Sequence, residues 1–413
     1  MIKIYFDTLD QGQSNVRHLE SNGDKTWWLV APGSVIKKHL AEMQMPYDLL
    51  DSIDLPGLYF IDVNGDPIWW NGLAKSPSTP KEHIILKLPD NIIQLAKAKL
   101  LRLVIAADRE GGPMVNDHFD CFAATTNAIR SRGLPVDSVL IMQGNKKIET
   151  QYKQWLEKNN EEKLFEVMYS NHFGKIFFDS NLPKDPLVKH SIKNANSKSY
   201  NSLNRVYRPN RGAHLFRLAK EGLLKHGIVS GNQINSNDSV AAKLAGVQQH
   251  ELAEIFKNNF PLFIDGNWSN VNAANQYNTS IYTDSLLTVV TETIFMDETV
   301  FLTEKLFKPI AMGHPFITLA GAGTMQGLRE MGFKIDFNGI DQSYDNELDP
   351  VKRFNMVHTV LVNWINMPFA DKVSCIERSM EDINFNMKHL VSNDFYKDAL
   401  KECITRSERY FND

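Results

Sequence analysis

The stretch from Leu286 to Gly332 constrains the fold more than any other part of the chain. Leu286-Leu287-Thr288-Val289-Val290 is an apolar, β-branched run of the length of one buried strand, and Glu292 follows it. Thr303 then stands in the N-cap position of a predicted helix over 304–312, which stops at Gly313. A second buried run, Pro315 to Leu319, leads into the turn Gly321-Ala322-Gly323, and another helix opens near Thr324. Strand, helix, strand, glycine turn and helix make a βαβ-type unit. Ligands of such sheets gather outside the carboxyl ends of the strands. Glu292, Glu304 and Lys305 sit at those ends.

These residue types suit a sugar nucleotide. A carboxylate accepts hydrogen bonds from both hydroxyls of a ribose. Lysine and exposed backbone N–H groups suit a diphosphate. Glu304 by itself is not diagnostic, because the helix macrodipole favours Glu in any first turn.

A second cluster, Asn204-Arg205-Val206-Tyr207-Arg208-Pro209-Asn210-Arg211, follows the predicted strand Tyr200 to Leu203. Pro209 fixes the start of the next helix. Arginines beside a helix N-terminus are badly placed for stability alone. An anion held between Arg205, Arg208 and Arg211 resolves the conflict; the plainer alternative is an exposed basic turn paired with surface carboxylates. Gly321 and Gly323 would let the backbone approach a phosphate, although tight turns use the same residues. Gln326 stands where a dinucleotide fingerprint needs glycine.

The remaining pattern is α/β throughout. Predicted strands at Lys3 to Phe6, Trp27 to Ala31 and Leu58 to Val63 open the chain, with a hairpin signal at Asn64-Gly65. Strand Leu101 to Ala107, helix Phe119 to Arg130, strand Val139 to Met142, helix Tyr152 to Lys158 and strand Leu164 to Met168 then alternate, which predicts a mostly parallel sheet. Asn181 to Ser199, with Pro183 and Pro186 and no apolar period, reads as a linker. Beyond it come helix Pro209 to Lys225, strand Ile228 to Ser230, a helix between Ser239 and Phe256, and a long helix opening at Asp349-Pro350. The expected domains are 1–188, an acceptor-side α/β domain, and 189–390, a nucleotide-sugar-binding Rossmann-like domain, with a C-terminal helix in 391–413.

Length and composition agree with two soluble domains. A chain of 413 residues is long for one core. A net charge of −4 argues against a dedicated nucleic-acid binder. Lys97 to Arg102 and Lys146-Lys147 are the modest basic stretches of the first half. Cys121, Cys375 and Cys403 are too sparse for a disulfide framework and show no metal spacing. No Asp-x-Asp metal motif of the metal-dependent transferases stands out, so no metal and no cofactor are expected. No signal peptide and no run of about 18 apolar residues is present, which predicts a cytoplasmic protein.

The motifs also carry a family resemblance. Phe301-Leu302-Thr303-Glu304-Lys305 resembles the Tyr/Phe-x-Thr-Glu-Lys signature in the donor domain of GT-B glycosyltransferases of the α-1,3-fucosyltransferase type. SLNRVYRPNR, FLTEKLFKPIAMGHPF, LREMGFKIDF and the later SYD, with Tyr344-Asp345, are similar to uncharacterised phage and bacterial glycosyltransferases. The resemblance covers the C-terminal half well and the N-terminal half faintly. It implies two Rossmann-like domains facing across a cleft, with the last helix crossing back to the first. It also implies a nucleotide-sugar donor as co-substrate, bound by Asn204, Arg205, Arg208, Arg211, Glu292, Thr303, Glu304, Lys305, Gly321 and Gly323.

The expected reaction is glycosyl transfer to a hydroxyl on a glycan or a modified nucleobase. Arg205 is the strongest position for stabilising the diphosphate leaving group. For an inverting reaction the predicted base is Glu110, in the loop after Leu101 to Ala107, with Asp108 its nearest rival and His118 a further alternative. Two other readings remain open: a phage-type enzyme glycosylating a hydroxylated DNA base, which must be taken out of the stack, and an inactive protein that only holds a sugar or nucleotide. Oligomeric state and configuration are not legible.

Overall fold

A computed structural model describes residues 3–6, 16–19, 27–30, 47–49, 56–63, 83–107, 111–116, 119–175, 182–231, 235, 237–262, 278–296 and 298–412. The predicted hairpin at Asn64-Gly65 and the candidates Asp108, Glu110 and His118 lie outside these residues. The chain parts into two compact units, Met1–His172 with Phe395–Asp413, and Phe173–Asp394.

The first unit holds β1 (Lys3–Phe6), β2 (Val16–Leu19), β3 (Trp27–Val30), β4 (Tyr47–Leu49), β5 (Gly57–Val63), β6 (Leu101–Ala107), β7 (Val139–Gln143) and β8 (Glu166–Tyr169). β5 to β8 run parallel in sequence order. The other edge of β5 is shared: β1 pairs in parallel with its start (Lys3↔Gly57), and β3 pairs antiparallel with its end (Leu29↔Val63). β6 is buried at every position, and this explains a nearly unbroken apolar run instead of an alternating one. Helices α1 (Asp90–Lys97), α2 (Cys121–Arg132) and α3 (Ile148–Asn159) belong to the same unit. Their buried residues join Leu103, Ile105 and Ile141 in one core.

The opposite face of that sheet is closed by the last helix of the chain. Leu58, Phe60, Val104, Ala106, Leu140 and Met142 cluster with Tyr396, Leu400 and Cys403 of α12 (Phe395–Asn412). Arg102 interrupts the apolar run of β6 on this face and is fully buried. Its guanidinium donates to Asp137 O at 2.9 Å and to Ser407 Oγ at 3.1 Å, and lies 3.3 Å from a Glu166 oxygen. These acceptors and the Glu166 carboxylate offset the desolvation of the buried cation; stripped of them it would cost several kcal/mol.

The second unit is built on β9 (Tyr200–Asn204), β10 (Gly227–Gly231), β11 (Thr288–Thr291) and β12 (Phe316–Leu319), all parallel, in the order β10-β9-β11-β12. From β9 the chain winds to β10 on one side, and β11 and β12 then add on the other. The reversal between β9 and β11 is a topological switch point, the place where open α/β sheets bind ligands. Helix α4 (Pro209–Lys220) connects β9 to β10 and lies against the Ser202 face, where His214 Nε2 and Ser202 Oγ are 3.1 Å apart.

The predicted single helix between Ser239 and Phe256 is two, α5 (Ser239–Ala245) and α6 (Gln249–Asn259). Gly246 divides them in the left-handed region at φ 71°, closing the end of α5 as glycine does at a helix terminus. Helices α7 (Glu304–Ala311), α8 (Thr324–Glu330), α9 (Pro350–Asn366), α10 (Phe369–Arg378) and α11 (Met380–Ser392) follow in the same unit, which also holds the single turns Val188–Ser191 and Thr279–Thr283. Pro309 lies inside α7, which still reaches Ala311 before ending at Met312. Leu187 N–H donates to Met312 O at 2.9 Å, so the predicted linker, Asn181 to Ser199, is fastened within the second unit at this point.

Leu400 is fully buried under the first sheet. Leu400→Ala is expected to destabilise that unit by about 2–5 kcal/mol, seen as a lowered midpoint in thermal or urea unfolding. An unchanged midpoint would show that α12 is not held through this face.

Candidate functional site

A cavity of about 330 Å³ opens at the β9/β11 switch point of the second unit. Its wall includes Leu203, Arg205, Val206, Arg208, Arg211 and Ser230 from the β9/β10 side, Thr288 to Thr291 and Thr293 from β11, and Glu304, Lys305 and Lys308 from α7. Five cationic side chains thus meet a single lining carboxylate, Glu304. That excess, at the N-terminal ends of two helices, describes an anion site.

The carboxyl ends of the strands are clamped by side chains. Asn204 is 3 % exposed; its Nδ2 donates to Ser230 O at 3.2 Å, its N–H donates to Ser230 Oγ at 2.9 Å, and its Oδ1 accepts from Thr291 Oγ1 at 2.7 Å. Three strands are tied at one residue. Arg211, in the first turn of α4, donates from Nη2 to Thr291 O at 2.9 Å and from Nη1 to Val206 O at 2.7 Å. Burial lowers its pKa, opposed by Glu292 and Glu304. Its charge therefore stands at the cavity wall while its hydrogen bonds hold the frame.

Arg205 and Arg208 are exposed, between β9 and α4. Arg208 is the N-cap residue of α4, with an extended backbone and no side-chain cap, and Pro209 follows at the first helical position. The loop is pressed onto the helix by Tyr207, whose ring occupies the space that a Cβ on Gly212 would fill. The geometry leaves the N-terminus of α4 open beside Arg208 and Arg211.

Across the cavity, Glu292 is 1 % exposed and organises the start of α7. It accepts from the Thr303 hydroxyl at 2.8 Å and from the Thr293 N–H at 3.2 Å. Thr303 Oγ1 in turn accepts from Lys305 N–H at 3.3 Å as the N-cap. Lys305 Nζ lies 3.0 Å from Thr303 Oγ1, 3.2 Å from Glu304 Oε1 and 3.6 Å from Glu292 Oε2. Burial pushes the Glu304 carboxyl upward, but the Lys305 charge and hydrogen bond, its own backbone N–H and Lys308 outweigh it and hold it below the ordinary carboxylate value. Glu304 therefore faces the cavity as an anion and an acceptor.

The structure brings Arg205, Arg208, Arg211, Glu304 and Lys305 together on one cavity. Asn204, Glu292 and Thr303 stand behind them, as the residues that hold the wall in place. Gly321 and Gly323 fall outside the described lining. The turn they form is served by Asp345, whose carboxylate accepts from Met325 N–H and Gln326 N–H, both at 2.9 Å, while its carbonyl accepts from Gly323 N–H at 2.8 Å. An internal anion thus occupies the N-terminus of α8 and gives Tyr344-Asp345 a structural role. Lys308, Ser230 and Tyr282 line the cavity without having been singled out in the sequence. Lys308 was findable, because it lies four residues from Glu304 on the same helical face. Among the described residues, no group of three or more His, Cys, Asp or Glu is placed to hold a metal ion.

Removing the Asp345 carboxylate uncaps α8. Asp345→Ala is expected to cost about 0.5–2 kcal/mol of stability, measured by urea unfolding. Pyrophosphate affinity should be retained; its loss would return the glycine turn to the ligand site.

No protein-family model matches the chain, and no curated protein matches it. Among solved structures the chain is similar to Anabaena HepE in complex with UDP and glucose, at 12% identity over 91% of this chain and 89% of that one, with a TM-score of 0.39. It is also similar to the catalytic domain of starch synthase IV from Arabidopsis thaliana bound to ADP and acarbose, at 13% identity, 98% and 92% coverage and a TM-score of 0.40. A third likeness is to the trehalose-6-phosphate synthase OtsA, at 13% identity, 96% and 89% coverage and a TM-score of 0.38. Likenesses of this size carry no argument about the chemistry of this chain.

Proposed function

We propose that the protein is a glycosyltransferase of the Leloir type, moving a sugar from a nucleotide-diphosphate sugar to a hydroxyl acceptor, with its donor in the cavity of the second unit. The observation that carries this reading is the cavity's composition. Arg205, Arg208, Arg211, Lys305 and Lys308 surround one anionic acceptor, Glu304, at a topological switch point. Diphosphate is the anion that the cations fit, and a ribose diol is the group that a lone carboxylate among them fits. The resemblance of Phe301 to Lys305 to a GT-B donor signature supports the same assignment.

On this reading the arginines act on the leaving group. Negative charge grows on the diphosphate as the glycosidic bond breaks, so cations already in place stabilise the transition state more than the ground state. Arg211 is pre-set by its carbonyl acceptors, and Arg205 and Arg208 add charge from the rim. Cations that carry this charge also lead us to expect turnover without a divalent metal. For an inverting reaction we propose Glu110 as the acceptor-side base, with Asp108 as its nearest rival and His118 a further alternative. Of the first unit's basic stretches, Arg102 is wholly buried and Lys146 lies 5.2 Å above the Tyr169 ring, which leaves Lys97 and Lys99 as exposed cations, too few for a nucleic-acid groove.

The test is calorimetric titration with UDP, GDP, ADP, CDP and dTDP, followed by transfer assays with the corresponding sugars. One of these should bind, and Glu304→Gln should weaken it without unfolding the protein. Arg205→Ala is expected to lower turnover by a factor on the order of 10². Glu110→Gln should abolish transfer with nucleotide binding intact. EDTA should leave activity unchanged; loss restored by Mn²⁺ or Mg²⁺ would refute the metal-free mechanism. Binding of no nucleotide would reject the proposal.

A further inference from the structure

Thr288, Thr291 and Thr293, in β11 and just beyond it, line the cavity. Two of them commit their hydroxyls to the frame. Thr288 Oγ1 lies 2.9 Å from His314 Nδ1 and 3.1 Å from Asn201 Nδ2. Thr291 Oγ1 donates to Asn204 Oδ1 at 2.7 Å. Both of these side chains are buried. Thr293 differs. It is half-buried, and its hydroxyl has no hydrogen-bond partner among the described residues. Nor is that oxygen one of the unpartnered side-chain atoms shut away from solvent, so it is accessible, on a residue of the cavity wall.

The backbone fixes where this hydroxyl stands. Just before it, Glu292 O accepts from Asn210 Nδ2 at 3.0 Å and Thr291 O accepts from Arg211 Nη2 at 2.9 Å, both from the first turn of α4. Its own N–H donates to Glu292 Oε2 at 3.2 Å, and the same oxygen accepts from the hydroxyl of Thr303, the N-cap of α7, at 2.8 Å. Thr293 is therefore pinned between the starts of α4 and α7. The cations of the cavity stand at the same two places: Arg205, Arg208 and Arg211 at α4, Lys305 and Lys308 on α7. Arginine and lysine side chains carry donors only, so they offer the Thr293 hydroxyl nothing to donate to.

A diphosphate that meets both groups of cations crosses the end of β11, where Thr293 stands. We infer that Thr293 is a further substrate-binding residue, whose hydroxyl donates to a non-bridging oxygen of the donor's diphosphate between α4 and α7. This rests on the nucleotide-diphosphate reading of the cavity and adds to it a neutral donor among the cations. Negative charge grows on the diphosphate as the glycosidic bond breaks, so this hydrogen bond strengthens toward the transition state.

The experiment measures, by calorimetry, the binding of inorganic pyrophosphate, of UDP, GDP, ADP, CDP and dTDP, and of the matching sugar nucleotide. The proteins compared are the wild type, Thr293→Val and Thr293→Ser. Valine keeps the branched shape and removes the hydroxyl, and the unfolding midpoint in urea should stay at the wild-type value. Pyrophosphate and the preferred nucleotide should both bind about ten- to hundredfold more weakly to Thr293→Val, the size of one hydrogen bond to a charged group. Thr293→Ser returns the donor and should recover most of that loss. Wild-type affinity for pyrophosphate in Thr293→Val overturns the inference. So does a loss confined to the sugar nucleotide, which would place the hydroxyl on the sugar, and so does a lowered midpoint, which would give it to the fold. If neither pyrophosphate nor any nucleotide binds the wild type, the reading of the cavity itself fails.

Discussion

The buried carboxylate of Glu292 is the interaction on which the geometry of the site depends. An ion this deep is costly unless every oxygen is partnered. Here the partners are the Thr303 hydroxyl, the Thr293 N–H and, at 3.6 Å, the Lys305 ammonium. Replacing such a cluster with apolar side chains of equal volume is often neutral for stability. Its effect is positional: it fastens the end of β11 to the first turn of α7 and sets the direction in which Glu304 and Lys305 leave that helix.

The same device recurs around the sheet. Asn204 joins the ends of β9, β10 and β11, and Arg211 binds the last carbonyl of β11. Arg353 of α9 donates to Ala320 O at 3.0 Å and Glu347 O at 2.7 Å, linking the turn after β12 to the loop that carries Asp345. Loops at the carboxyl ends of parallel strands have no ladder to hold them, and buried side chains with two or three backbone acceptors take that place. The consequence is preorganisation. Charges fixed before the ligand arrives need no rearrangement when charge develops on it.

Much of this was legible in the sequence, and the part that was not has physical reasons. β6 and the helices α2 and α9 follow from apolar period and caps, because burial of one stripe or of both faces leaves a local signature. The Arg205 to Arg211 cluster and Thr303-Glu304-Lys305 were visible as residue types that conflict with bland helix starts. Which of them face the cavity was not visible. Asn204, Glu292 and Thr303 were read as donor contacts, and the structure sets them behind the wall: Asn204 is held by Thr291, 87 positions away, and the Glu292 carboxylate by the Thr303 hydroxyl across the loop between β11 and α7. Asp345 could not be placed for the same reason: its partners, Met325 and Gln326, lie about twenty residues upstream.

The charge balance of the cavity shows why a ligand belongs there. Arg205 and Arg208 are exposed, and Arg211 is buried close behind them. Like charges gathered on one wall repel, and a helix N-terminus without a side-chain cap adds to this. Lys305 is paired locally with Glu304 and Glu292, and three of the cavity's cations, Arg205, Arg208 and Arg211, stand on the α4 side. A diphosphate laid along that side would lower the repulsion and cap the helix at once.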